Sequence, residues 1–237
     1  MPYRRLPNTD QARIRALKAV VAKENIYNVY DLAISLKTLA KARNFLMKFE
    51  AAQSYYAECF DRQAKAGRKH QTNVKTARLY LSHFIQVLNL AVIRSEVRVS
   101  HKEYYGLDIN NNNVPDLMSE TALIEWGNKI IDGENRRISQ GRIPIYNPSI
   151  AKVKVHYDIF KESYEKQKDF QSLTARSLEI LASMRANADE LILDIWNQVE
   201  GKYGEVVPSE KRLDLCRDYG IVYYYRASEK YNDEIEK

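Results

Sequence analysis

The stretch 74-VKTARLYLSHFIQVLNLAVIRSEV-97 decides the fold. Apolar side chains recur at Val74, Ala77, Leu81, Phe84, Leu88 and Ala91 in steps of three and four, the seam of an α-helix packed lengthwise on other helices. Leu79, Tyr80, Ile85, Val87, Val92 and Ile93 spread around the same helix, so neighbours are expected on more than one side. The stretch reads as the central helix of a bundle. Within it, His83 is expected to be a hydrogen-bonded imidazole inside the bundle.

The preceding sequence supplies a partner of the same kind. Asp31 is the expected cap of a helix running to about Ala66, with Ala42, Phe45, Phe49, Ala52, Tyr56 and Cys59 in one seam and Leu32, Leu36, Leu39 and Leu46 broadening it. Gly67 and the polar run AGRKHQTN then predict a turn, so that this helix and the central one form an antiparallel hairpin. Before it, Asn8 or Thr9 caps a short amphipathic helix that carries Ile14, Leu17, Val20 and Val21 and ends near Lys23.

Downstream, Ser100 and Glu103 form a capping-box pattern for a single turn that Gly106 can end. The run Asn110 to Asn113 with Pro115 reads as a flexible connection. Ser119 starts a helix to about Gln140, in which Gly127 lies on the apolar side and lets another helix approach. Asn147 and Pro148 open the longest unbroken helical pattern, to about Ala186, with Ile150, Val153, Tyr157, Phe160 and Tyr164 as its seam. The apolar set then shifts to Phe170, Leu173, Ile180 and Met184, which predicts a stutter or a helix projecting past its neighbours. Asn187 marks an expected bend, followed by a helix to about Tyr203. Another runs from Ser209 to Tyr219 and is closed by Gly220. Ile221 to Tyr225, IVYYY, is the one strand-like run, and the tail after Arg226 is expected to fray.

The predicted architecture is all-α: an elongated antiparallel bundle with long coiled-coil-like helices and a short C-terminal strand-like segment. It is expected to be one domain, with an N-terminal arm and short helix at 1–30, a bundle at 31–203, and a C-terminal helix, strand and tail at 204–237. Only 8 Gly and 6 Pro in 237 residues leave few turns for a sandwich or barrel. The segments RRLPNTDQARIRALKA (4–19), EWGNKIIDGENRR (125–137) and IYNPSIAKVKV (145–155) resemble an uncharacterised family of long helical bacterial proteins, a likeness covering most of the chain. The resemblance implies an all-helical fold in a bacterial, cytoplasmic setting and carries no site residues.

Composition narrows the chemistry. MPYRRLPNTD has no apolar stretch after its basic residues, no run nears the roughly 20 apolar residues of a membrane span, and Cys59 and Cys216 lack CxxC partners. The expected location is therefore a reducing cytoplasm, with no membrane partner. None of the four histidines stands three residues after a glutamate, and no HExxH, Walker A, GxGxxG or GxSxG motif is present. No catalytic, metal or cofactor residue is assigned, no cofactor is expected, and the chain is not expected to be an enzyme.

Two local features carry functional expectations. Residues 1–100 hold 18 Lys and Arg against 7 Asp and Glu, and residues 101–237 hold 19 against 24. Within the basic part, Arg62, Lys65, Arg68, Lys69, Lys75 and Arg78 cluster at the expected hairpin tip, where they suit contacts to a nucleic-acid backbone. Tyr223, Tyr224 and Tyr225 lie in a strand without an obvious intramolecular mate, which suits edge pairing with another chain. The leading expectation is a non-catalytic helical interaction or scaffolding protein, with a protein partner or a homodimer, the latter through apolar surface at the end of the long helix around Phe170, Leu173 and Ile180. Nucleic-acid backbone binding is the alternative.

Overall fold

The computed structural model describes residues 2–25 and 31–225, and the protein is all-α and 75% helical. In chain order the elements are β1 (Tyr3–Arg4), α1 (Asp10–Ala22), α2 (Leu36–Ile93), α3 (Glu120–Ser139), α4 (Ile150–Ser183), α5 (Arg185–Tyr203), α6 (Ser209–Arg217) and β2 (Tyr223–Tyr224). The tail after Arg226 lies outside the described residues. Two compact units form, one from residues 1–59 with 174–237 and one from residues 60–173. Both α2 and α4 contribute residues to each.

The expected hairpin does not exist. α2 is one helix of 58 residues that passes through Gly67 without a turn. A lone glycine costs only about 1 kcal/mol relative to Ala, and its neighbours Arg62, Gln63, Ala64, Lys65 and Ala66 are strong helix formers. The polar side chains of the run also serve the helix: Thr72 and Thr76 donate to the carbonyls of Arg68 and Thr72, four residues back. The cap is Ser35 rather than Asp31, its hydroxyl accepting the Thr38 amide at 3.1 Å.

In the first unit, α1 starts where Thr9 accepts the Ala12 amide, and buries Ile14, Leu17 and Val20. These pack with Leu39, Ala42, Leu46 and Phe49 of α2, Leu191, Ile195, Trp196 and Val199 of α5, and Cys216, Tyr219 and Ile221. Arg13 pairs with Asp189 and Asp10 with Arg185, each at 2.8 Å, fastening α1 to α5. The break between α4 and α5 falls at Met184, three residues before the expected Asn187. The strand-like run finds its mate in the chain itself, because β2 pairs antiparallel with β1, Tyr3 opposite Tyr224 and Arg4 opposite Tyr223.

In the second unit, α2 and α4 run antiparallel, as Gly67 faces Gln167, His70 meets Ser163 and Tyr80 stacks on His156 at 4.0 Å. α3 closes on α4 at Gly127, where a Cβ would collide with the Tyr157 ring. Phe84, Leu88, Tyr105, Leu123, Ile130, Val153 and Phe160 fill the core. The α4 cap moves from Asn147 to Ser149, which accepts the Lys152 amide. Residues Val99–Tyr105 form a 3₁₀ helix ended by Gly106 at φ +66°, and Arg98, without a side-chain cap bond, stands where a Ser100 box was expected.

The stutter expected in α4 is also absent. Its buried line continues from Phe160 through Thr174 and Ser177 to Leu181, while Leu178 and Ile180 face outward. Hydroxyls can hold these places because Ser177 donates to the Thr174 carbonyl at 2.8 Å. α4, at 34 residues, is shorter than α2, which removes the reason for expecting its end to project.

The asparagine run is ordered around a buried cation rather than flexible. Lys102, with no exposed surface, donates to the Asn111 carbonyl at 2.9 Å and to Asn112 Oδ1 at 2.6 Å. Buried Asn89 donates to the Asn112 carbonyl, and Asp108 and Asn111 side chains accept the amides two residues on. These bonds tie the connection between the 3₁₀ helix and α3 to Lys102 and Asn89.

Candidate functional site

With α2 continuous, the six basic residues stand mid-helix and spread over about 200° of its circumference. Lys65 pairs with Asp61 at 2.6 Å. Arg78 is structural: it donates to the carbonyls of Leu117 at 2.9 Å and Met118 at 2.7 Å, just before α3. Arg68 and Lys75 share the outer line of α2, whereas Arg62 and Lys69 point elsewhere on the helix wheel. The hairpin tip at which these residues were expected to cluster does not form.

Of the three tyrosines, Tyr223 is held inside the first unit, donating to Glu200 at 2.7 Å, and its hydroxyl is pushed above its ordinary pKa by burial and by the Glu200 carboxylate. Tyr224 packs against Tyr3 with the rings tilted by 36° and their centroids 5.8 Å apart and stays partly exposed, and Tyr225 is half-buried.

The arrangement most like a reacting group was not visible in the sequence. His70, buried on α2, meets Ser163 Oγ of α4 through Nδ1 at 2.9 Å and Glu120 Oε1 of α3 through Nε2 at 2.9 Å. A small polar cavity of about 210 Å3 lies beside it, lined by Gln71, Glu120, Tyr164 and Gln167 among others. Serine, histidine and a carboxylate in series are the parts of a nucleophilic triad, which needs the serine to donate to the ring. Here Ser163 Oγ stands within hydrogen-bond reach of both His70 Nδ1 at 2.9 Å and the Phe160 carbonyl at 2.8 Å, so its proton has two competing acceptors. The helix-interior amides of α2 and α4 around the cluster are already used within those helices. The cluster joins α2, α3 and α4. Its members come from three elements, 50 and 93 positions from His70, and no local spacing joins them.

A second tie is sealed completely. Glu134 and Arg137 of α3 pair at 2.9 Å with almost no exposed surface, Tyr105 donates to Glu134, and the Ile145 amide donates to the same carboxylate at 2.8 Å. Burial alone would raise the Glu134 pKa, but these hydrogen bonds hold its carboxyl below the ordinary range. His101 is buried close by, and burial together with Arg142, Arg137 and Arg98 lowers its pKa. Among the described residues no group of three His, Cys, Asp or Glu could hold a metal ion, and no helix is long and apolar enough to cross a membrane.

What remains open is a surface. Leu79, Leu90 and Ile93 of α2 are 64%, 49% and 61% exposed, although neighbours were expected to cover this helix on more than one side. They share one line with Arg68, Thr72, Lys75, Ser82 and Gln86, spaced by threes and fours. Each of Leu79, Gln86, Leu90 and Ile93 stands two positions after a core residue, about 200° around the helix from Ala77, Phe84, Leu88 and Ala91. His83, expected inside, is exposed near the same line. No known family model, curated protein or solved structure matches this chain.

Proposed function

We propose that this chain is a non-catalytic helical interaction protein and that the outer line of α2 is its docking face, occupied by a second copy of the same helix. The observation that carries the reading is the exposed aliphatic line of Leu79, Leu90 and Ile93, about 21 Å long on one uninterrupted helix. Large aliphatic side chains repeated in one line on an outer helix face mark interaction surfaces, whereas isolated ones do not.

The spacing favours a second copy. Leu79 and Ile93 are each seven positions from Gln86, so an antiparallel pairing with its twofold at Gln86 sets Leu79 of one chain against Ile93 of the other. A twofold interface requires such self-complementarity. Leu90 then lies between, opposite Ser82 of the second chain, where a small side chain leaves room. The committed chemistry of the buried clusters supports the non-catalytic part of the reading, since His70, Glu134, Arg137 and Lys102 are each consumed in joining elements.

The test is site-directed cross-linking. Gln86→Cys under mild oxidation joins two chains through residue 86, and the added mutation Leu90→Glu abolishes the product. Cross-linking that survives Leu90→Glu contradicts the docking face.

A further inference from the structure

The first unit holds a cleft of about 400 Å3 that the proposed docking face does not use. Its size falls within the roughly 300–1,000 Å3 usual for small-molecule pockets. The wall is formed by Leu6, Pro7, Ala12, Ala16, Trp196 and Val222, with Arg5, Asn8 and Arg15 as polar members. Gly220 makes the close approach that shapes its floor: at φ +81° it lies so near α1 that a Cβ would sit 3.1 Å from the Ala19 methyl and 3.2 Å from the Ala16 carbonyl. The rim is fastened by the Arg5 amide, which donates to the Val222 carbonyl at 2.8 Å. The walls are thus held in place without a ligand.

Two cationic side chains, Arg5 and Arg15, line this cleft. Trp196, 1% exposed, contributes its ring to the wall, with its Nε1–H buried beneath the surface. The guanidinium groups of Arg5 and Arg15 engage no carboxylate among the described residues, because the acids of the neighbouring elements are committed elsewhere: Asp10 to Arg13 and Arg185, Asp189 to Arg13, and Glu200 to Arg4 and Tyr223. Leu6 and Val222, 44% and 52% exposed, leave apolar surface at the opening.

We propose that this cleft binds a small amphipathic carboxylic acid, its apolar body against Leu6, Ala16 and Trp196 and its carboxylate taken by Arg5 and Arg15. Guanidinium and carboxylate make charge-assisted hydrogen bonds that neutral ligands cannot reproduce. A free inorganic anion would leave the apolar wall wet, and a hydrocarbon would leave the two guanidinium groups without a counter-charge. The two requirements together select an amphipathic acid.

The chain has two tryptophans, Trp126 and Trp196, so a nitrogen-15 correlation spectrum gives two indole N–H signals, assigned with Trp126→Phe. Titrated with sodium octanoate, the Trp196 signal moves saturably while that of Trp126 stays. Octan-1-ol and sodium acetate, which each carry half of the chemistry, bind about tenfold more weakly or worse, and the pair Arg5→Gln with Arg15→Gln weakens octanoate to the level of octanol. Circular dichroism on the double variant reports whether the helices are intact, and single Arg15→Gln, on the exposed face of α1, provides the charge test if they are not. A stationary Trp196 signal overturns the proposal. So does equal binding of octanoate and octanol, or binding unchanged in the arginine variants.

Discussion

Gly67 of α2 lies against Gln167 of α4, and a Cβ built at Gly67 would sit 3.4 Å from the Gln167 amide nitrogen. That is ordinary contact with the end of a movable side chain, and Gly67 has helical neighbours on both sides. Gly67→Ala should therefore stabilise the protein by about 0.5–1 kcal/mol, measured by urea denaturation, because alanine loses less conformational freedom in a helix. If residue 67 made a turn needing glycine, the same change would destabilise. Gly127→Ala acts in the opposite direction and lowers stability, since its Cβ meets the Tyr157 ring.

Arg78 and Lys69 separate structure from charge. Arg78→Ala removes two hydrogen bonds to the Leu117 and Met118 carbonyls and should cost about 1–3 kcal/mol, whereas Lys69→Ala on the exposed surface should stay within about 0.5 kcal/mol. Thermal unfolding of the two variants checks this. Equal effects would contradict the role assigned to Arg78.

Breaking the sealed pair should be severe. Glu134→Gln leaves the Arg137 charge buried without its counterion and is expected to cost about 3–5 kcal/mol. Replacing both residues by apolar ones of similar size, Glu134→Leu with Arg137→Met, recovers only part of that loss: no charge is then buried, but the Tyr105 hydroxyl and the Ile145 amide lose their acceptor. Denaturant midpoints of the single and double variants give the comparison.

Acidification should lower stability in two windows. His101 has a folded pKa below its ordinary value of 6.5, so between 6.5 and that lower value the unfolded chain binds a proton that the folded chain refuses. Stability falls as pH drops through this window, with a slope of at most about 1.4 kcal/mol per pH unit for the one proton. His101→Phe removes this first window. Glu134, whose carboxyl is held below 4.5, contributes stability that is present above its unfolded value and lost as pH falls through its folded one, so its window opens only below about pH 4.5. Urea titrations at closely spaced pH values distinguish the two.

Much of the fold is legible in the chain, including a clue to its largest departure from expectation. Leu39 and Val74, Ala42 and Ala77, Leu46 and Leu81, and Phe49 and Phe84 each stand 35 positions apart, which is five heptads. Two seams in one register are what a single helix produces, and a turn at Gly67 gives no reason to preserve it. The Gly127 contact with Tyr157 was readable because glycine on an apolar face has few other uses. Lys102 was not readable, since its acceptors come from a loop whose composition resembles any polar connection. The His70 tie and the pairing of Tyr224 with Tyr3 depend on distant parts of the chain meeting, which no local period encodes. The outer line of Leu79, Leu90 and Ile93 was visible as apolar residues, but only burial separates a covered face from an open one.

The docking face of α2 is tested most directly by sedimentation velocity on the full-length protein at about 1–50 μM, beside Leu90→Glu and Ile93→Glu. The account predicts a concentration-dependent dimer for the natural sequence and a monomer for each variant, with the helical circular dichroism spectrum of all three alike. A natural chain that stays monomeric over the whole range, or variants that dimerise as well as it does, would contradict it.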